Sequence, residues 1–276
     1  SFDYSIYNKN NNAIKLNYSS KNWNKDDYDF ILNKGIEKLA ILSNPEKKIT
    51  TGEYRVYLEP SALNEIIDMM AWGGFSYKSN KIGTSPLHLL NKKERKLNEL
   101  ISIDENIKDG LSANFNSDGF IKPEEISMIK NGEFIESLTS PRSSLEYSVV
   151  HNAASPSEYP CSLDMGAGSI SDDKILETID NGIYISNLWY LNFSDRNNGR
   201  MTGLTRFGCF LVENGKLTAP INTMRFDDSV YSMLGDNLIG LTSSRELLID
   251  SGTYEERSTS SARLPGAIVN NFKMTL

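Results

Sequence analysis

Histidine is scarce in this chain. Its 276 residues include two, His88 and His151. Catalytic zinc takes about three protein ligands plus one open position. His88 in SPLHLL and His151 in VVHNAAS have no metal-binding neighbour at helical spacing, so both read as ordinary polar histidines. Cysteine is equally rare. Cys161 and Cys209 offer no framework of spacings; a single disulfide fits the count, but a reducing, cytoplasmic compartment is the simpler reading. No apolar run approaches the roughly 20 residues that span a bilayer, and no signal peptide opens the chain. A basic excess is also missing. Twenty-nine Lys and Arg stand against 36 Asp and Glu, a net charge of -7, which argues against nucleic acid as the main partner. There is no G-x-S-x-G elbow and no Cys–His spacing typical of a nucleophilic site. No repeat of about 20 to 50 residues is visible.

What is present is patterned. Residues 1–23 alternate loosely around NKNNN and predict a hairpin. KDDYDFILNKGIEKLAIL (25–42) has apolar residues at helical spacing, with Asp26 and Asp27 where a helix N-terminus favours anions. YRVYLE (54–59) reads as a strand feeding a helix, LEPSALNEIIDMMAWGGF. There Leu63, Ile66, Ile67 and Met70 form one apolar stripe, Pro60 suits the first turn, and Gly73 and Gly74 end it. Asn64, Glu65 and Asp68 are left on its polar side, expected to face water or a partner. NKKERKLNELI (91–101) predicts a charged surface helix. Strands follow near 101–105, 133–139, 182–194, 209–213 and 216–221, with hairpin turns at Asn131-Gly132 and Asn214-Gly215. SDDKILETIDNG predicts a helix capped by Ser171 and stopped by Gly182, and LPGAIVNNFKMTL a closing strand. The class is α+β, with a large antiparallel β component and a few packed helices. Ser1 stands in what reads as mid-strand. The expected division is therefore 1–45 as the end of an N-terminal domain, its remainder upstream, and 46–276 as a second domain.

Three motifs suggest chemistry. Asn114, Asn116, Asp118, Gly119, Ile121 and Glu125 occupy positions of an EF-hand loop. However, Gly110 breaks the entering helix and Pro123 lies inside the loop, so a tight Asp118-Gly119 turn is the better reading. MGAGSISDDK places a G-x-G before a helix, but Asp172 and Asp173 in the first turn would repel phosphate. SDRNNGRMTGLTRFG (194–208) offers Asp195, Arg196, Arg200 and Arg206 among glycines. Arginine forks suit carboxylates and carbonyls, which makes this segment a candidate binding loop. The alternative is a solvated hairpin with local ion pairs.

Taken in order, GEYRVYLEPSAL, DGFIKPEEISMIKNGEF, ILETIDNGIYISNLWY, TGLTRFGCFLVENGKLTAPI and RLPGAIVNNFKM resemble the C-terminal region of the TldD/TldE (PmbA) family, also called modulators of DNA gyrase. The resemblance covers almost the whole chain. It implies a paired, cytoplasmic zinc peptidase that cleaves unfolded or short peptides. A TldD-like subunit would hold zinc through HExxxH and a distant cysteine; a TldE-like subunit would lack these and help enclose the site. Overlaid on that motif, this sequence has Asn64, Glu65 and Met69, keeping the glutamate and losing both histidines. An amide oxygen is a weak zinc ligand and a thioether favours softer ions. The ending YEERSTSSARLPGAIV also resembles the TldE side, and Cys209 lies in a strand rather than in the late loop of TldD. The resemblance thus implies no catalytic residue and no metal in this chain, with zinc in a TldD-like partner. A self-sufficient hydrolase assembled from His88, His151 and Cys209 is one alternative; a homodimeric peptide-binding scaffold is another. Nothing in the charge pattern supports a gyrase or DNA contact.

Overall fold

The computed structural model describes residues 1–250 and 257–276. The opening hairpin is present: β1 (Phe2–Tyr7) and β2 (Ala13–Tyr18) pair antiparallel. α1 (Lys25–Leu42) follows, its N-terminus closed by the Asn24 side chain, which accepts from the Asp26 N–H. β3 (Gly52–Leu58) leads directly into α2 (Pro60–Gly74), broken at Trp72 and Gly73, where φ reaches +81°. Two short helices, α3 (Tyr77–Lys81) and α4 (His88–Asn91), precede β4 (Ile103–Asn106), β5 (Glu125–Lys130) and β6 (Glu133–Phe134). Then come α5 (Pro141–Tyr147), β7 (Ser162–Met165), α6 (Ile175–Ile179), and the long ribbon β8 (Gly182–Asp195) and β9 (Arg200–Glu213). The chain closes with β10 (Lys216–Pro220), β11 (Arg225–Ser229), β12 (Leu238–Ile249) and β13 (Ser261–Met274).

β3 to β13 form one sheet. Its main path runs β10-β9-β8-β3-β13-β7-β4-β5-β6, with β11 and β12 pairing beside it. Most pairs are antiparallel; β3 with β8 and β13 with β7 are parallel. The central strands are apolar on both faces, as a sheet covered on both sides requires. Val56 and Leu58 of β3, Ile183 and Ile185 of β8, and Ala267 and Val269 of β13 enter the larger core beside α2. The intervening Tyr57, Tyr184 and Ile268 enter a second core with Ile14 and Leu16 of the hairpin and Leu42 of α1. A polar tie crosses that second layer: Lys38 of α1 pairs with Glu59, which also accepts from the Tyr184 hydroxyl.

Three expectations need correction. Residues 91–101 are not helical. α4 stops at Asn91, Lys93 takes a positive φ, and Leu97 and Ile101 are buried, so their demand for core outweighs helical spacing in a charged stretch. The Leu97 N–H instead donates to Gly132 O at 3.0 Å. Residues 133–139 form a strand only over Glu133–Phe134; beyond it the Leu138 backbone bonds Phe75 and Tyr77 at the end of α2. Finally, the predicted helix at 171–182 divides into a 3₁₀ turn, Asp172–Lys174, and α6. The Ser171 side chain does not cap it, and it stops at Asp180 rather than Gly182. Gly182 opens β8 because a Cβ there would stand 2.2 Å from Arg55 O. Both Asn-Gly turns hold: φ is +49° and +75° at Asn131-Gly132, and +52° and +70° at Asn214-Gly215.

Candidate functional site

α2 owes its position to sequence. Leu63, Ile66, Ile67 and Met70 are fully buried, each worth roughly 1.5–3 kcal/mol of burial. That fixes the helix against the sheet and turns Ser61, Asn64, Glu65 and Asp68 the other way. They do not simply face bulk water. They form one wall of a cleft of about 500 Å³. Asp3, Lys15 and Asn17 of the hairpin, Tyr159, Asn187, Asp250 and Ser260 supply much of the rest.

The cleft is polar and mostly acidic. The Tyr159 hydroxyl donates to Asp68. Burial by the cleft walls raises the Glu65 carboxyl above its ordinary value; the Asp68 charge adds to this and Lys15 opposes it. Burial likewise raises Asp68, while the Tyr159 hydrogen bond pulls it down. Tyr159 is pushed far up, first by burial and then by the Asp68 charge, so it remains a donor at neutral pH. The loop carrying Tyr159 is pinned by its neighbour Glu158, which is 2 % exposed. Its carboxylate accepts from Ser76 Oγ (2.6 Å), Lys78 N (3.0 Å), Ser140 N (2.9 Å) and Ser140 Oγ (3.0 Å). Ser76 and Ser140 are the N-caps of α3 and α5, so a single buried carboxylate ties two helix starts to the cleft wall.

Of the residues overlaid on HExxxH, Asn64 and Glu65 line the cleft, whereas Met69 packs against the core. The donors offered there are amide, hydroxyl and carboxyl oxygens, without imidazole or thiolate. That set does not fit zinc, which favours nitrogen and sulfur in tetrahedral sites. Among the described residues no group of three or more His, Cys, Asp and Glu is arranged to hold a metal. His88 is occupied by Ser85 O at 3.0 Å. His151 accepts from the Ala153 N–H and stacks on Phe120 at 4.9 Å. Cys209 is buried, its thiol pushed up to about 12 by burial. These three do not assemble into a metal site, and the two cysteines are not bonded to each other.

The candidate binding loop is shorter than its sequence suggests. β8 and β9 leave only residues 196–199 between them. Asp195 bonds Asn198 across that turn. Arg196 donates to Thr84 O (2.9 Å) and to Trp72 O, with its guanidinium over the Trp72 and Phe193 rings, so it secures the end of α2. Arg200 pairs with Asp227, and Arg206 lies over Trp189 at 4.3 Å. None of the four lines the α2 cleft; Arg206 lines a second cleft, of about 740 Å³, with Asn10–Asn12. The EF-hand pattern is a turn: Gly119 has φ +84°, and Asn116 Oδ1 accepts from the Asp118 and Phe120 N–H groups. Sequence reasoning missed Tyr159, Glu158, Lys15 and Asp3. No local signal marks them, since their roles arise from contacts across long stretches of chain.

The opening of the stretch YEERSTSSARLPGAIV lies outside the described residues; from Arg257 it leads into β13. Comparison with solved structures finds the same fold. TldE from Thermococcus kodakarensis matches 91% of this chain and 56% of its own, with TM-score 0.75 and 16% identity. A candidate modulator of a DNA gyrase from Thermotoga maritima matches 99% and 61%, with TM-score 0.76 and 16% identity. A second such protein, from Bacteroides thetaiotaomicron, matches 99% and 58%, with TM-score 0.71 and 18% identity. The chain therefore spans about 56–61% of these relatives' length. No curated protein matches it in sequence. Residues 51–276 match the model of the PmbA/TldA metallopeptidase C-terminal domain. The chain thus belongs to the PmbA/TldD family.

Proposed function

We propose that this chain is a TldE-like, non-catalytic subunit of a cytoplasmic zinc peptidase. It pairs with a TldD-like chain that holds the metal, and helps enclose an unfolded or short peptide. One observation carries the reading. α2 presents Asn64 and Glu65 to the cleft, while Met69, at the other histidine position of the overlay, packs into the core. Glu65 remains as a carboxylate, but without a metal-primed water it has nothing to deprotonate usefully. The cleft can bind rather than cut. The Asn17, Asn64 and Asn187 amides and the Ser260 hydroxyl can pair with peptide N–H and C=O groups, and the acidic wall favours a cationic residue. An extended peptide could also add to a sheet edge. Two unbonded cysteines suit a reducing compartment. No helix among the described residues is long and apolar enough to cross a membrane.

Reconstitution tests this. The purified chain is expected to hold no stoichiometric zinc and to leave an unfolded test peptide intact, whereas a mixture with a TldD-like chain cleaves it. Cleavage by this chain alone, or tightly held zinc in it, would defeat the proposal.

A further inference from the structure

Two of the arginines on the β8–β9 ribbon are engaged by the fold, Arg196 by backbone carbonyls and Arg200 by Asp227. Arg206 is not. It is exposed, and its guanidinium lies over the Trp189 ring at 4.3 Å and the Phe207 ring at 5.2 Å. Among the described residues that guanidinium has neither a hydrogen-bond acceptor nor an ion-pair partner. The rings hold the plane of the fork and leave its N–H edge open. A fork already held this way loses little freedom when it meets a carboxylate.

The backbone aims this side chain. Ile185 pairs with Cys209 and Asn187 with Arg206, so β9 carries one residue more than β8 between the two pairs, and Phe207 in that interval takes φ +57°. A bulge of this kind re-aims a side chain, and left-handed backbone at a residue other than glycine persists only where its surroundings impose it. Here it sets Arg206 directly opposite Asn187. Opposed residues of an antiparallel pair share one face, with Cβ atoms ~5 Å apart. Asn187 lines the α2 cleft and Arg206 the second cleft, so the two clefts adjoin at this pair.

Their charges are complementary. The α2 cleft holds Asp3, Glu65, Asp68 and Asp250 against Lys15. The second is lined by amides and hydroxyls, those of Asn10, Asn11, Asn12 and Thr223 among them, with Arg206 and one acid, Glu46, that does not pair with it. The opening hairpin reaches from one cleft to the other. Asp3 and Asn17 line the first, Tyr7 and Ala13 the second. At ~3.4 Å per residue each of its strands covers about 14 Å between them, the span of an extended peptide of about five residues. A short peptide is positive at its amino end and negative at its carboxyl end, the same polarity as the pair of clefts.

We propose that Arg206 receives the C-terminal carboxylate of a short extended peptide whose amino-terminal part lies in the acidic α2 cleft. The inference rests on the peptide-binding reading above and adds to it a direction and an end-group requirement.

Isothermal titration of the full chain with two test peptides of one short sequence, a free acid and a C-terminal amide, tests this. Both keep a free amino end and neither contains Asp or Glu, so the terminal carboxylate is their only acid. The free acid is expected to bind at least about tenfold more tightly, the scale of a charge-assisted contact. The preference should vanish in Arg206→Gln and persist in Arg142→Gln, which removes an exposed positive charge elsewhere. Circular dichroism checks that both variants fold. Equal binding of the two peptides by the wild type, a preference that survives Arg206→Gln, or one that is lost in Arg142→Gln overturns the inference and leaves the peptide-binding reading standing. Binding of neither peptide overturns both. If Arg206→Gln fails to fold, Arg206→Lys, which keeps the charge without the fork, reads the same contact: a preference cut severalfold supports the inference, and an unchanged one refutes it.

Discussion

Replacing Glu158 by alanine should loosen the cleft wall and cost a sizeable part of the stability. The carboxylate is 2 % exposed and receives four hydrogen bonds at 2.6–3.0 Å. Two donors are hydroxyls, which can turn elsewhere. The other two are the backbone N–H groups of Lys78 and Ser140, which cannot. A stranded buried donor costs about 1–3 kcal/mol, and partial entry of water returns some of this. Glu158→Ala should therefore lose about 3–4 kcal/mol, against a typical total of ~5–15 kcal/mol. Glu158→Gln keeps one acceptor oxygen but turns an NH₂ toward donors, so it should lose about 2 kcal/mol. The pH dependence has a definite sign. Burial alone would raise this carboxyl, but the hydrogen bonds it accepts, that of the Ser140 N–H first, outweigh it and hold it below its ordinary 4.5. A depressed acid stabilises the fold above its unfolded value and loses that contribution as pH falls through the folded one. The gap between wild type and Glu158→Gln should be full at pH 7 and close as pH falls below the ordinary carboxyl value of 4.5. Urea unfolding at several pH values measures both effects, and limited proteolysis of residues 148–161 reports the local loosening. A loss under about 1 kcal/mol for Glu158→Ala, or a gap that widens on acidification, would refute the reasoning.

Further outcomes follow from single contacts. Tyr159→Phe removes the donor that pulls the Asp68 carboxyl down. Its titration midpoint, followed by NMR, should rise further, with about 1 kcal/mol of stability lost; a midpoint that stays or falls would contradict the assignment. Gly132→Ala and Gly215→Ala probe the two Asn-Gly turns, both at positive φ. At Gly132 an added Cβ would stand 2.3 Å from Leu97 O, whereas at Gly215 the nearest atom is 3.5 Å away. Backbone strain of about 1–2 kcal/mol applies to both, and overlap adds about 1–3 kcal/mol only at Gly132. Equal losses in thermal unfolding would show that the Leu97 contact is not tight.

Local grammar was legible wherever one rule acted without competition. α1 spans the predicted residues because helical spacing, the Asn24 cap and the first-turn acids agree. α2 begins at Pro60 and breaks at Gly73 as its apolar stripe and glycines require. The reading failed where long-range contacts overrode local preference. Leu97 and Ile101 gave up a helix to reach the core, and residues 135–139 left strand pairing to meet the end of α2. Arg196, read as a binding group, instead secures Trp72 and Thr84, over a hundred positions away.

The sequence by itself determined the opening hairpin, the two Asn-Gly turns, and the absence of an imidazole pair on α2, because these depend on residue type and spacing alone. Tertiary structure alone decided that α2's polar side lines a cleft. Tyr159 meets Asp68 across 91 positions of chain, and Lys15 approaches Glu65 from a separate hairpin. Burial and pairing of this kind are sums over neighbours that only folding brings together.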